Sequence, residues 1–267
     1  MLPRENVVST QTFSFSQVQK RVAHVSGSTT GMESKLLYHL ARKAEANGVV
    51  VEIGSFLGKS TIFLASGSKE AKQQKVYAID PHAGAPVINK KFSGPTYQRF
   101  LRNIEGASVR DAVVPIKKTS DEAFRDWHRP IRLLFVDGDH AYQAVKRDLK
   151  QWGSFVVEKG VIALHDALNP GVGPPRAIVE VLLSQKDFSR FGVVDSIFYG
   201  TKMRPKTLFD WINWYFFAGA MRLTAALISF TSGSRPRKIK TAVQQKLVKT
   251  WLKRWLTGVT LAVARPF

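Results

Sequence analysis

Short apolar runs alternate with stretches of helical spacing along most of the chain. The runs that predict buried strands are residues 49–53, 75–79, 112–116, 131–136, 161–164 and 193–199. Apolar residues recur at helical spacing over residues 32–47, 97–104, 122–127 and a stretch that ends near residue 152. Strands that alternate with helices in this way form a mostly parallel sheet covered by helices, so the pattern predicts an α/β fold.

The first strand leads into a turn with two glycines, Gly54 and Gly58, and then into the start of a helix. A dinucleotide-binding loop would need glycines where Phe56 and Lys59 stand, and a Walker phosphate loop would need one in place of Ile53. Both kinds of phosphate loop are therefore excluded. The pattern that remains is E-x-G-x-x-x-G-x-S, with an acid two residues before the first glycine.

This pattern resembles motif I of the class I S-adenosylmethionine-dependent methyltransferases, whose cofactor carries both cationic and anionic groups. Glu52 would complement a cation, and the N–H groups at the helix start would complement a carboxylate. The residues predicted to hold the ligand are Glu52, Gly54, Ser55, Gly58 and Ser60. A tight turn that binds nothing is the alternative.

The resemblance to motif I implies S-adenosylmethionine as the cofactor. It also implies a Rossmann-like fold, with a mostly parallel seven-stranded sheet, helices on both faces and, in this chain, a C-terminal helical extension.

Two polar positions follow the next two predicted strands. Asp80 comes about 20 residues after the glycine turn, where an acid accepts hydrogen bonds from ribose hydroxyls; a plain turn before Pro81 is the alternative. The resemblance places Ser120 near the adenine, although residues 119–121 could equally cap the next helix. Residues 83–95, rich in Gly, Pro and Lys, predict a mobile segment over the site.

Acids and imidazoles follow the fourth and fifth strands. Asp137 and His140 come after one, and His165 and Asp166 after the other. Ligands bind at the carboxyl ends of strands in open α/β sheets, so these side chains predict a second part of the same site. Asp139 is expected to cap the following helix. The remaining histidines are expected to be ordinary surface or turn residues: His24, His39, His82 and His128.

Over roughly residues 30–199 the order of these residues is similar to that of macrocin- and mycinamicin-type sugar O-methyltransferases. The resemblance implies methyl transfer to a hydroxyl of a sugar, glycolipid or related small molecule. It implies a divalent metal, Mg²⁺ or else Mn²⁺, held by Asp137, His165 and Asp166, with Asp137 also near the cofactor.

The same resemblance makes His140 the general base, and a plain first-turn helix residue is the alternative. His165 stands where the sugar enzymes have a carboxylate. Imidazole suits Mn²⁺, Fe²⁺ or Zn²⁺ better than Mg²⁺, or a place outside the coordination shell.

Charge divides the chain into two parts. Its 267 residues include 40 Lys and Arg against 20 Asp and Glu, a net charge of +20. Residues 202–267 hold 13 of the basic residues and one acid, Asp210, which leaves 27 and 19 for residues 1–201. We therefore expect a methyltransferase domain over residues 1–201 and a basic helical tail over residues 202–267.

Cysteine usage and the N-terminus bear on the compartment. The chain has no cysteine, which excludes a disulfide framework and a thiolate metal site. Its first residues show no continuous apolar segment of the secretory kind. A cytoplasmic protein is therefore expected.

The tail combines apolar runs with basic residues. Residues 207–230 contain a long apolar run that Asn213 and Arg222 interrupt, and residues 246–264 place Trp251 and Trp255 one helical turn apart. This composition predicts helices on an anionic membrane surface, at the inner face of the membrane. Packing on the body or on a second copy in a homo-oligomer is an equal alternative. RNA binding, which would accompany RNA methylation, ranks behind both. A cofactor-binding module without catalysis is the non-enzymatic alternative.

Overall fold

The computed structural model describes residues 14–43, 45–71, 74–84, 95–169 and 173–232. The strands are β1 (Val49–Ile53), β2 (Val76–Ile79), β3 (Val113–Ile116), β4 (Ile131–Val136), β5 (Val156–Leu164), β6 (Phe188–Val194) and β7 (Ile197–Lys202). The helices are α1 (Phe15–Arg21), α2 (Gly31–Lys43), α3 (Lys59–Ala71), α4 (Tyr97–Gly106), α5 (Ser120–Arg125), α6 (Tyr142–Ser154), α7 (Pro174–Ala177) and α8 (Leu208–Ser232). A wider helical turn, Ile178–Leu182, continues α7.

The seven strands form one sheet in the order β3-β2-β1-β4-β5-β7-β6. Strands β1 to β5 are parallel, and β7 runs antiparallel between β5 and β6. The predicted mostly parallel seven-stranded sheet is therefore confirmed. The strand order reverses between β1 and β4, the kind of position at which open α/β sheets bind ligands. Strand β3 lies at an edge, as expected for a strand that contains Pro115.

Both faces of the sheet are covered. Alternate residues of each central strand point to opposite sides, so that Leu133 joins the core beneath α1 to α4 and Leu134 joins the core beneath α5 to α8. All six residues of β4 are buried, as expected of a parallel strand between two helical layers. Trp152 of α6 is wholly buried and packs edge-on against Phe124.

Several predicted boundaries are corrected. Strand β5 begins at Val156 rather than at residue 161. Residues 193–199 do not form one strand: they contain the end of β6, a turn at Asp195 and Ser196, and the start of β7. The chain reverses there because Asp195 adopts a left-handed conformation (φ 54°), which aspartate tolerates better than most residues. The predicted helix over residues 246–264 and most of the predicted mobile segment lie outside the described residues.

The C-terminal helix α8 is present, and it packs on the body. The side-chain amide of Asn213 donates to the Phe191 carbonyl of β6 (3.0 Å) and accepts from the Phe191 N–H (2.7 Å). Phe217 packs against the rings of Phe191 and Phe198. One side of α8 thus belongs to the core of the sheet. Within the described part of the chain, no helix is both long and apolar enough to cross a bilayer.

Candidate active site

The glycine turn lies where the ends of β1 and β4 meet. Gly54 and Gly58 both adopt φ 88°, a conformation that other residues rarely adopt. A Cβ atom on Gly54 would lie 2.2 Å from the carbonyl oxygen of Asp137. Glycine at this position therefore lets the end of β1 lie directly beside the residue that follows β4. The two predicted parts of the site are brought together here.

Asp80 joins the glycine turn to the end of β2. Its Oδ2 accepts from the N–H of Phe56 in the turn (2.8 Å), and its Oδ1 accepts from the N–H of His82 (2.6 Å). Its side chain is 16% exposed. Each carboxylate oxygen can accept more than one hydrogen bond, so Asp80 can hold the turn and still accept from a ligand hydroxyl.

His82 is buried, in contrast to the expectation of an ordinary surface or turn residue. Its ring lies against those of Tyr97 and Phe100, and its Nδ1 is 2.9 Å from the hydroxyl of Thr96. Burial lowers the pKa of His82, which keeps the ring neutral. This burial could not be read from the sequence, because the aromatic partners Tyr97 and Phe100 belong to α4, beyond the intervening segment.

Glu52 is wholly buried at the end of β1. Its Oε2 accepts from the hydroxyl of Thr61 in α3, whereas its Oε1 has no partner among the described residues. Burial raises the pKa of Glu52 to about 8, and the hydroxyls of Ser60 and Thr61 oppose the rise only in part. A buried carboxyl oxygen without a partner is rare and points to a missing donor. This atom fits the cationic groups of S-adenosylmethionine.

The three predicted serines occupy different places. Ser55 is buried in the turn, and its hydroxyl has no partner in the described part of the chain, so it too is available to a ligand. Ser60 lies beside Glu52 in the first turn of α3. Ser120 begins α5 and bonds to the buried carboxyl of Asp148, while the capping role falls to Thr119. The cap predicted among residues 119–121 is therefore Thr119, and the contact of Ser120 with the adenine stays a prediction.

His165 lies between two carboxylates. Its Nδ1 is 3.1 Å from Oδ1 of Asp137, and its Nε2 is 3.5 Å from Oε2 of Glu33 in α2. Burial opposes a charge on the ring, but the two carboxylates outweigh burial and raise the pKa of His165 to about 10. The ring is therefore an imidazolium at neutral pH, buried with its counter-charges.

The three predicted metal ligands are not arranged as a metal site. A metal-binding imidazole must offer a nitrogen lone pair, so a metal ion would first have to displace the proton of His165. Asp137, His165 and Asp166 are indeed neighbours, with His165 Nδ1 also 3.8 Å from Oδ2 of Asp166. They form no group that could hold a metal ion, however, and neither do any other His, Asp and Glu residues in the described ranges. The cation at this place is the protein's own histidine.

His140 follows β4 and Asp166 follows β5, and the two side chains form a second pair. Nε2 of His140 lies 3.5 Å from Oδ2 of Asp166, and the His140 side chain is 32% exposed. Asp166 adopts a left-handed backbone conformation (φ 53°), which is uncommon for a residue other than glycine. The arrangement is that of a base oriented by a carboxylate, with its other nitrogen, Nδ1, left for a substrate.

Glu33 was missed by the sequence reasoning. It accepts from the N–H and hydroxyl of Ser196 in the β6–β7 turn (2.8 and 2.6 Å) and from the N–H of Thr30 (2.8 Å). Burial would raise the pKa of Glu33, but the bonds from His165, Ser196 and Thr30 lower it to about 2. The signal in the sequence was Thr30-x-x-Glu33, a capping box before an apolar run. The box predicts the helix start but not the contact with His165.

Comparisons with known proteins agree with this fold. Residues 51–167 match the family model of a methyltransferase domain. An O-methyltransferase from Bacillus cereus in complex with SAH shares 18% identity, covering 73% of this chain and 94% of that chain, with a TM-score of 0.52. The O-methyltransferase TomG from Streptomyces achromogenes, in complex with SAM, shares 15% identity over 71% and 89% of the two chains (TM-score 0.53). The O-methyltransferase NovP shares 15% identity over 67% and 84% (TM-score 0.56).

A relative by sequence is the uncharacterized protein R132 of Acanthamoeba polyphaga mimivirus, 30% identical over 145 residues, or 52% of this chain. The chain spans 61% of the length of that relative. The described residues share the fold of these O-methyltransferases, and residues 51–167 match the model of a methyltransferase domain. The narrower resemblance to macrocin-type enzymes stays a prediction.

Proposed function

We propose that this chain is an S-adenosylmethionine-dependent O-methyltransferase that acts on a hydroxyl of a sugar, glycolipid or related small molecule, with His140 as the general base. The observation that carries the proposal is the His140–Asp166 pair, 3.5 Å apart, which shares one end of the sheet with the glycine turn. A base and a cofactor turn at neighbouring strand ends are what methyl transfer to oxygen requires.

The cofactor would be held at the turn. Asp80 would accept from its ribose hydroxyls, and the buried carboxyl of Glu52 and hydroxyl of Ser55 would bond its polar end. When bound, S-adenosylmethionine supplies an electrophilic methyl group on a sulfonium, and S-adenosylhomocysteine remains after the C–S bond breaks. The acceptor oxygen forms the new O–C bond and loses its proton.

The chain's own task is to take that proton and to hold the acceptor. A sugar or alkyl hydroxyl is a weak nucleophile, so its proton must leave as the bond forms. Nδ1 of His140 accepts the proton, and the carboxylate of Asp166 beside Nε2 stabilises the resulting imidazolium. Positioning of the acceptor against the cofactor supplies the rest of the acceleration. No step is assigned to a divalent metal, because Asp137, His165 and Asp166 are not arranged as a metal-binding group.

The acceptor class rests on weaker support than the base. TomG is described as involved in tomaymycin synthesis, which favours a small molecule over a nucleic acid. This chain and TomG share the fold, so the comparison suggests which class of acceptor to test first and identifies no particular acceptor.

The test has two parts. Calorimetric titration with S-adenosylmethionine is expected to show binding that Asp80→Ala weakens and that Asp126→Ala, a change at an exposed ion pair with Lys118, leaves unchanged. Transfer of a labelled methyl group is then measured over glycans, nucleotide sugars, lipid-linked sugars and RNA. No cofactor binding would mean that the glycine turn holds no ligand. Labelling of RNA alone would replace the small-molecule proposal with RNA methylation.

A further inference from the structure

Helix α8 is apolar around most of its circumference, yet only one of its sides packs on the sheet. The buried side includes Trp214, Phe217 and Met221. The other side carries large apolar side chains that are exposed: Leu208 (77%), Phe209 (49%), Ile212 (56%), Tyr215 (61%) and Leu223 (56%). These five residues define the exposed face of α8. A helix that is apolar all round is normally buried all round, so this face indicates a partner.

Four of the five residues of the exposed face lie on one line along the helix. The residues of this line are all exposed and follow one another at intervals of three or four: Leu208, Ile212, Tyr215, Gly219, Leu223 and Ala226. At 1.5 Å per residue this line is roughly 27 Å long. Among the described side chains of α8, Arg222 is the one charged group on this side, and it lies at the margin of the line.

Basic residues precede and follow α8 in the sequence. Arg204 and Lys206 precede the helix and are exposed, and Nζ of Lys186 lies 5.0 Å from the centroid of the Trp211 ring. Residues 233–267, which follow α8, contain nine Lys and Arg and no acid. Asp210, the one acid among residues 202–267, is buried and paired with Arg190 (3.1 Å), and Arg204 is paired with Asp187 (3.2 Å). An apolar face with cations beside it complements a surface that is apolar below and anionic above.

We propose that the exposed face of α8 binds an anionic lipid surface, with the helix lying in the plane of the membrane. The large apolar side chains enter the boundary between headgroups and acyl chains, and the basic residues meet the lipid phosphates. A second copy of this chain is a poorer occupant, because it would bring a net charge of +20 against another +20. The inference stands independently of the acceptor that the enzyme methylates.

The experiment is co-sedimentation of the full chain with vesicles of phosphatidylcholine alone and with added phosphatidylglycerol, at low and high salt. Ile212→Gln combined with Tyr215→Gln removes apolar area at two positions that are more than half exposed. Binding to the anionic vesicles is expected to fall at least about tenfold in this variant. The matched control, Ile212→Leu with Tyr215→Phe, keeps the apolar face and is expected to bind like the wild type. Circular dichroism and thermal unfolding verify that both variants fold.

Two outcomes would overturn the inference. The glutamine variant could bind anionic vesicles as tightly as the wild type, and the attachment would then be purely electrostatic and would not use α8. Alternatively, sedimentation without lipid could show a dimer of the wild type that the glutamine variant converts to a monomer. The occupant of the face would then be a second copy. Failure of methyl transfer would affect neither result, so the two proposals are tested separately.

Discussion

Nε2 of His140, which follows β4, lies 3.5 Å from Oδ2 of Asp166, which follows β5. Replacing His140 by Ala is expected to lower kcat by about 10²–10⁴-fold, the usual contribution of a general base, with little change in cofactor affinity. Methyl transfer to the acceptor found in the labelling screen measures kcat, and calorimetry measures the affinity.

Asp166→Asn is the matched variant for this pair. Asparagine tolerates the left-handed conformation of residue 166 (φ 53°), so the fold is expected to persist. Because Asp166 acts through His140, we expect a smaller loss than for His140→Ala and no further loss when the two changes are combined. Additive losses, or an unchanged kcat in His140→Ala, would contradict the assignment of the base.

Removal of divalent metal is expected to leave turnover unchanged. His165 is an imidazolium between Asp137 and Glu33, and the cation it provides occupies the place of the predicted metal. Turnover and cofactor affinity are measured after dialysis against EDTA and again with Mg²⁺ or Mn²⁺ added. Loss of turnover with EDTA and recovery with either metal would show that methyl transfer depends on a divalent metal.

The unfolding free energy is expected to fall as the pH rises from neutral. The folded state raises the pKa of His165 from 6.5 to about 10, so it binds a proton that the unfolded chain has released. The stabilisation from this proton is present in full below pH 6.5, declines above it, and is lost once the pH exceeds about 10. Denaturant titration over this pH range measures the slope.

His165→Asn is expected to remove the slope above about pH 8 and to leave the part below it that Glu52, whose pKa is raised to about 8, also contributes. It is also expected to destabilise the fold by about 3–5 kcal/mol at neutral pH, because two buried carboxylates lose their shared cation. Combining it with Glu33→Gln removes one of those carboxylates and should recover part of the loss. An unchanged pH slope in His165→Asn would show that a different group carries the titration.

Cofactor affinity is expected to increase with pH up to about 8. Burial raises the pKa of Glu52 to about 8, so Glu52 is largely neutral in the free chain at neutral pH, and pairing with a cationic ligand requires release of its proton. Calorimetry in buffers of different ionisation enthalpy detects this proton release. Glu52→Gln keeps the shape of the side chain and should bind S-adenosylmethionine more weakly. If the variant releases the same proton on binding, Glu52 does not face the cationic group.

By itself the sequence determined the strands β1 to β4, the parallel part of the sheet, the glycine turn and which strand ends carry polar residues. These features depend on local periodicity and on the glycine spacing between Gly54 and Gly58, and both can be read along the chain. Pro115 favoured an edge strand or the end of a strand, and the structure places β3 at an edge of the sheet. Parallel strands also align their carboxyl ends, so residues such as Asp80 and Asp137 could be expected at one edge before any contact was known.

Only the tertiary structure decided what those residues do to one another. Glu33 and His165 are far apart along the chain, and their contact depends on how α2 packs beside the β6–β7 turn. That contact turns a predicted metal ligand into an imidazolium. The tertiary structure also decided which side of α8 is exposed, because the sequence places apolar residues around most of this helix. Packing on β6 buried one side and left Ile212 and Tyr215 exposed, because a helix can press only one face against a sheet.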